Sequence, residues 1–484
     1  MSPAEALRTP HARILVALTL LAMALRAPFI VWVDTWYNLV LGREIARAGL
    51  VTHNLLTEQG FGIRCVDQQW LAHAIYFGIE KACGLVGVVL LAASITAASF
   101  VSAVVFAFAR GATPGRTLGI GILALGVVSS QTVARAQTLA LPFMVAFVWV
   151  LAKDARRSSR AAWWLVPCAV AWANLHGSVL LAPAMGVLLL VGRMVDCGRR
   201  HEAIAGRSVL RDALLAAALS AAVFVSPYAG KLPSYYWSTV ANPAFRAHLT
   251  EWQPPSSIEA PGAVLLCAVV LLLLRRAIPV TSTFEASLAS LLAVASLLSV
   301  RHAMPLALTA AALVPRWADA ALGRFFRIEP DRALGFLARL LIPIAAVSFA
   351  VIPIAFGRSI RAEMPVAFTD RVASASASGL LLVDEAHADR LLWFHPELRG
   401  RVSHDARVET IPVGFLEALA SFYGAPDAPP FRRLLARYDE VVVDRRLHAR
   451  WFDSMSRDSG WRQIAADGYA SAFVRREGAH PPDP

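Results

Sequence analysis

Long apolar runs fill the chain up to about position 356 and are absent beyond it. A membrane-spanning helix needs about 20 mostly apolar residues, somewhat fewer where neighbours cover its ends. By that measure the pattern predicts eleven spans, near 14–33, 85–109, 117–134, 138–152, 162–176, 178–192, 212–227, 261–274, 283–300, 302–315 and 340–356. Pro142, Pro167, Pro183 and Pro343 fall inside them. Membrane helices tolerate proline because their neighbours satisfy the freed backbone groups. Ile14–Ala24 also has the look of a signal-peptide core ending in Ala22-Met23-Ala24. Apolar sequence resumes at once through Pro28–Val33, so an uncleaved first span is the expectation. The fold class expected is a polytopic α-helical membrane protein.

The last 128 residues read differently. Gly379–Val383 and Glu440–Asp444 are short apolar runs closed by acids, and Ala470–Val474 alternates like a strand. Helical patterns lie between them, near Gly414–Tyr423 and Phe431–Tyr438. Strands interleaved with helices predict a small α/β domain. The expected division is therefore 1–356, a multispan domain with a first outer loop at 34–69, and 357–484, a solvated α/β domain.

Composition sharpens this picture. Of 484 residues, 57% are hydrophobic and 17% charged, against about 25% charged for a soluble protein. That excludes an ordinary soluble enzyme and a disordered chain. The net charge of +12 comes entirely from the apolar part, which holds 29 basic and 16 acidic residues. The tail holds 17 arginines and 18 acids. With the N-terminus inside, the inner segments carry 20 Lys and Arg and the outer loops 8. The positive-inside rule then puts the N-terminus in the cytosol and the tail outside. The distribution also argues against a nucleic-acid binder. Cys65, Cys83, Cys168, Cys197 and Cys267 are scattered, with neither a disulfide framework nor a zinc spacing.

On that topology every unusual polar cluster falls on the outer side. Asp34-Thr35-Trp36-Tyr37 opens the first loop, which ends in Asp67-Gln68-Gln69-Trp70. Gln131, Arg135 and Gln137 occupy a second turn, Asn174-Leu175-His176-Gly177 a third. Ser226-Pro227-Tyr228 and His248–Trp252, with Glu251, lie in a long loop, and Arg301-His302 closes the ninth span. Ionisable residues at membrane depth are costly and usually mark a site. Asp34 supplies a base, Arg135 and Arg301 supply cations, and Trp36, Trp70, Tyr228 and Trp252 supply aromatic platforms. A carboxylate with cations suits transfer of a group away from a phosphate: the base takes the acceptor's proton and the cations stabilise the leaving charge. Each residue alone has a plainer reading. Asp34 suits the cap of an interfacial helix, the tryptophans suit interfacial anchors, and either arginine suits a snorkelling helix end. Their coincidence on one side favours a site. No HExxH, GxxxxGK or GxSxG motif is present.

The ordered set resembles the GT-C-fold membrane glycosyltransferases that use polyprenyl-phosphate-linked sugars, and a bacterial branch of them in particular. The resemblance rests on Asp34-Thr35-Trp36-Tyr37-Asn38-Leu39, Gln69-Trp70-Leu71, Arg135-Ala136-Gln137, Asn174-Leu175-His176-Gly177, Ser226-Pro227-Tyr228-Ala229 and Glu251-Trp252. It spans essentially the whole chain. It implies that Asp34 is the catalytic base and that Arg and His residues of later turns hold the lipid phosphate. The implied substrate-binding set is Trp36, Tyr37, Asp67, Gln69, Trp70, Arg135, Gln137, Asn174, His176, Tyr228, Glu251, Trp252, Arg301 and His302. Two departures stand out: Asn38 replaces a frequent His, and His404-Asp405-Ala406-Arg407 replaces a more usual Asp-Gly-Arg. The expected partners are a polyprenyl-phosphate-linked sugar, an exported lipid, glycan or protein acceptor, and the bilayer. The expected location is the bacterial inner membrane. One Asp with cations requires no metal, although a divalent cation is compatible with the set. A flippase of lipid-linked glycans, or a non-catalytic assembly protein, are the alternatives; the chain lacks the internal repeats of a transporter.

Overall fold

The computed structural model describes residues 3–199, 206–240, 249–256, 260–323, 332–356, 366–375, 379–424, 429–467 and 469–476. His248 and most of the inner loop after Arg199 lie outside them. In chain order the helices are α1 (Pro10–Arg26), α2 (Val33–Ala48), α3 (Trp70–Ala109), α4 (Pro114–Ser130), α5 (Ala136–Asp154), α6 (Leu165–Leu175), α7 (Leu181–Arg199), α8 (Gly206–Ala222), α9 (Leu232–Val240), α10 (Pro261–Ala277), α11 (Thr283–Leu298), α12 (Ala303–Leu322) and α13 (Arg332–Phe356). Then follow α14 (Val366–Ala375), β1 (Leu381–Val383), α15 (Glu385–Phe394), α16 (Val413–Gly424), α17 (Pro429–Leu435), β2 (Glu440–Asp444), α18 (Ala449–Arg457), β3 (Trp461–Asp467) and β4 (Ala470–Arg475).

Each of the eleven expected spans coincides with a helix. Among the described residues six helical stretches are long and apolar enough to cross a membrane unaided: 10–29, 70–109, 136–154, 177–199, 261–280 and 332–355. The chain is thus a polytopic membrane protein with a small C-terminal sheet domain. Two boundaries differ from expectation. The first span ends at Arg26 and a separate helix, α2, begins at Val33. The second starts at Trp70 instead of 85, and Gly84, at φ 67°, breaks its helical geometry where an L side chain would be strained.

The chain divides into two compact units. The first comprises 1–30, 89–230 and 249–354. In it α7 packs along α8, α4 along α12, α10 along α12, and α1 along α4. Small residues permit the close approaches, as is usual between membrane helices. A Cβ on Gly192 of α7 would lie 2.9 Å from the Phe284 backbone of α11. One end of this unit is stapled by buried ion pairs. Asp154 accepts from Arg193 at 2.9 Å and Arg211 at 2.8 Å, and Asp212 from Arg211 at 2.7 Å. Glu285 accepts from Arg110 at 2.6 Å and Arg156 at 3.3 Å. Each carboxylate faces two guanidinium groups, which is what makes burial of a charge tolerable.

The second unit comprises 31–88, 231–248 and 355–484. Its sheet has the order β1-β2-β4-β3, with β1 and β2 parallel and the other pairs antiparallel. β2 is buried along its whole length, as a strand covered on both faces must be. Side chains alternate between two cores. Leu381, Val383, Val442 and Ala472 join Val40, Leu41, Leu56, Phe368 and Leu391 on one face. Leu382, Val441, Val443 and Phe473 join Phe415, Leu419 and Trp451 on the other. The expected first outer loop is therefore part of this domain: α2 covers its sheet. The loop also extends the sheet edge. Glu58 N–H donates to Val402 O at 2.8 Å and Gln59 N–H to Ser403 O at 2.9 Å, while Ser403 N–H donates to Leu381 O at 2.8 Å.

Candidate functional site

In the second unit, Trp32 holds the N-cap position of α2 and Thr35 Oγ1 accepts from Trp32 N–H at 3.1 Å. Asp34 therefore sits in the first turn, half-buried, where the helix dipole favours its carboxylate. The cap itself is Trp32, so the helix-cap reading does not apply to Asp34. One turn on, Trp36 is buried against Phe394, with ring centroids 5.7 Å apart, and the Arg390 guanidinium lies 4.8 Å from its centroid. Tyr37 meets the edge of His73 at 4.9 Å, and His73 Nδ1 lies 3.0 Å from the buried Asp67 carboxylate. Burial first, then the negative Glu409 and Asp67, push the Tyr37 hydroxyl well above its usual value against the pull of Arg407. Tyr37 stays a neutral donor at any working pH. Gln69 and Trp70 begin α3, where Gln69 O accepts from Ala72 and His73.

The tail adds Asp389 and Arg390, which the sequence did not single out, to Asp405 and Arg407 of the departure at 404–407. Asp389, Arg390, Asp405 and Arg407 are all buried. Arg407 pairs with Asp405 at 2.6 Å and donates to Asn54 Oδ1 of the first loop at 2.7 Å. Asp389 accepts from Ala406 N–H at 3.2 Å. Burial, then Asp405 and more weakly Asp34, push its carboxyl well up. The departure at 404–407 is thus a folded arginine–carboxylate pair tied to the loop that carries Asp34.

In the first unit, helix ends gather the other candidates. Arg135 is the N-cap residue of α5 and donates to Glu251 Oε2 at 3.2 Å. Ser299 Oγ donates to Glu251 O at 2.9 Å and Val300 N–H to Gln253 O at 3.0 Å, which fixes the 250–253 turn against the start of α12. The Arg301 guanidinium lies 4.2 Å from the Trp252 ring centroid, a cation–π stack. Among the described residues Arg301 has no carboxylate partner. His176 closes α6, and Ser178 N–H donates to its Nδ1 at 3.1 Å while Trp172 Nε1–H donates to Ser178 Oγ. That leaves the proton of the neutral ring on Nε2. The Nδ1 of His302 is buried without a hydrogen-bond partner. Asn174 has a structural task, donating to Val170 O and Val225 O at 2.8 Å each. Tyr228 is buried and Gln137 half-buried in the first turn of α5.

The structure thus gathers Arg135, His176, Glu251, Trp252, Arg301 and His302 in one unit. It gathers Asp34, Trp36, Tyr37 and Asp67 with the tail residues in the other. Among the described residues no three His, Cys, Asp or Glu side chains are arranged to hold a metal ion. The fold is that of a polytopic α-helical membrane protein with a small C-terminal sheet domain. A similar solved structure is ArnT from Cupriavidus metallidurans, crystallised bound to undecaprenyl phosphate. It is 13% identical, aligns over 97% of this chain and 99% of its own, and has a TM-score of 0.51. At that identity the likeness is one of fold. No family model and no curated protein matches the sequence.

Proposed function

We propose that this chain is an inverting glycosyltransferase of the bacterial inner membrane, moving a sugar from a polyprenyl-phosphate donor to an exported acceptor. The observation that carries the proposal is Arg301. It is a cation held by stacking on Trp252, without a carboxylate partner among the described residues. A cationic guanidinium fork suits an oxyanion of phosphate. The ArnT fold, crystallised with undecaprenyl phosphate, supports the lipid class. Arg135 is neutralised by Glu251 and serves to fix the turn that carries Trp252.

In this reading Asp34 removes the acceptor hydroxyl proton as its oxygen bonds to the anomeric carbon. The bond from that carbon to the phosphate oxygen breaks, and the phosphate leaves with the electron pair. Arg301 and the Nε2–H of His176 stabilise the charge that develops there. Trp36 and Tyr37 order the helix turn that presents Asp34, and the tail anchors that turn from behind. The test is titration of the purified full chain with undecaprenyl phosphate, followed by native mass spectrometry. Saturable one-to-one binding that falls at least tenfold in Arg301→Ala is expected; absent binding, or binding unchanged in Arg301→Ala, overturns the assignment.

A further inference from the structure

The first unit contains a groove of about 750 Å³ at the end of the bundle opposite Arg135 and Arg301. It lies between the first turns of α4, the last turns of α10 and the last turns of α12. The separation follows from α4 itself. Its 17 residues run from the groove at Gly115 to Ser130 beside the Gln131–Arg135 turn, a rise of about 25 Å. The groove is thus in the other leaflet from the proposed donor phosphate and cannot be its headgroup site.

The walls are almost wholly apolar, Leu272 and Leu322 among them, and glycines make the room. A Cβ at Gly119 would meet nothing within 4 Å. Two cations stand at the rim. Arg116 is buried and held in place, donating to Gly323 O at 3.2 Å with Asp319 at 3.9 Å. Arg276, in the last turn of α10, is exposed and makes no hydrogen bond or ion pair among the described residues. The volume falls in the range of ordinary ligand pockets, roughly 300–1,000 Å³. Basic pockets between membrane helices take anionic lipid head groups.

We propose that this groove is a specific site for an anionic phospholipid of that leaflet, an acyl chain lying along Gly119 and Leu272 and the phosphate meeting Arg276. Charge complementarity decides the occupant: an apolar slot ending in an uncompensated cation selects a chain with an anionic head. A snorkelling arginine on a lipid-facing helix would not discriminate between head groups of equal chain length.

The experiment is native mass spectrometry of the purified full chain with dioleoylphosphatidylglycerol or dioleoylphosphatidylcholine. One phosphatidylglycerol should be retained with at least tenfold preference. Arg276→Gln, a surface change, should erase that preference, and Gly119→Trp should remove retention by filling the slot. Equal retention of the two lipids overturns the proposal, as does a preference that survives Arg276→Gln. Displacement of the phosphatidylglycerol by equimolar undecaprenyl phosphate also overturns it, in favour of the donor lipid. Binding of undecaprenyl phosphate at the Arg301 end should be untouched by either variant, so failure here and failure of the proposed function are read separately.

Discussion

Asp34 and Arg301 are the residues on which the proposed chemistry turns, and each has a substitution that separates chemistry from structure. Asp34 lies in the first turn of α2, where an Asn keeps the size and most of the local hydrogen bonding while removing the base. Asp34→Asn is expected to reach the membrane at normal abundance and to lower sugar transfer by roughly two to four orders of magnitude. Transfer within a few-fold of the parent would exclude Asp34 and turn attention to Asp67 and Glu251, carboxylates paired with His73 and Arg135. Arg301 stacks on Trp252, and Lys preserves the charge but not the planar fork. Arg301→Lys should lower kcat/KM for the donor at least tenfold, about 1.4 kcal/mol of transition-state stabilisation. A helix anchor would tolerate the change, so unaltered donor kinetics would locate the phosphate elsewhere.

At the scale of elements, the second unit depends on a turn and on a buried charge cluster. Gly60 has φ 71°, and a Cβ there would stand 2.3 Å from Thr410 O. Gly60→Ala should therefore cost roughly 1–3 kcal/mol and speed proteolysis of the first loop, read by limited trypsin digestion of the full chain. At the ends of the parallel strands β1 and β2, His387 Nε2 lies 3.3 Å from Asp444, and Asp384 is buried beside them. Burial alone would lower His387. Asp384 and Asp444 overcome it, against Arg390, and hold the imidazole above its usual value. A raised histidine contributes stability that is complete below its unfolded value of about 6.5 and is lost as pH rises through the folded value. Asp444 is held below the usual carboxylate range by His387 and Arg446 despite its burial, so its contribution is present above about 3.8 and is lost on acidification. Thermal unfolding of the full chain should peak between about pH 4 and 6.5 and fall on both sides, and His387→Gln should flatten the alkaline limb. An unchanged alkaline limb would show that His387 carries no proton there. β2 was legible in the sequence because burial on both faces demands a continuous Val run. β3 was not, since Trp461-Arg462-Gln463 at a half-exposed edge has no clean period. α2 was read as loop because Val40 and Leu41 find their partners on a sheet more than 300 residues away. The tail's Asp389 and Arg390 were invisible for a related reason: a buried charge and a solvated one are written with the same letters.

At the scale of the whole molecule, the eleven helices were legible because long apolar runs are a one-dimensional signal, and loop charge gives that signal a direction. The structure adds an observation from inside the first unit. Asp154, Arg193, Arg211 and Asp212 stand at one end of its helices, and Arg135, His176 and Arg301 at the other. Along α5 alone the two sets are separated by 19 residues, about 28 Å, close to the hydrocarbon thickness of a bilayer. Arg110, Arg156, Arg193 and Arg211, counted as inner, are compensated there by buried carboxylates, whereas Arg301 has no carboxylate partner among the described residues. We propose the orientation that the 20 to 8 bias in Lys and Arg implies, with the N-terminus inside. In a background with the five native cysteines replaced, Arg207→Cys should react with an impermeant maleimide only after the cells are broken. Gly424→Cys, on α16 of the tail domain, should react in cells whose outer membrane alone is permeabilised. The two sites must differ, because opposite results at both would place Arg301 and Asp34 in the cytosol, where an exported acceptor never passes. That outcome would remove the glycosyl-transfer assignment while leaving the fold, the ion pairs and the lipid groove as they are.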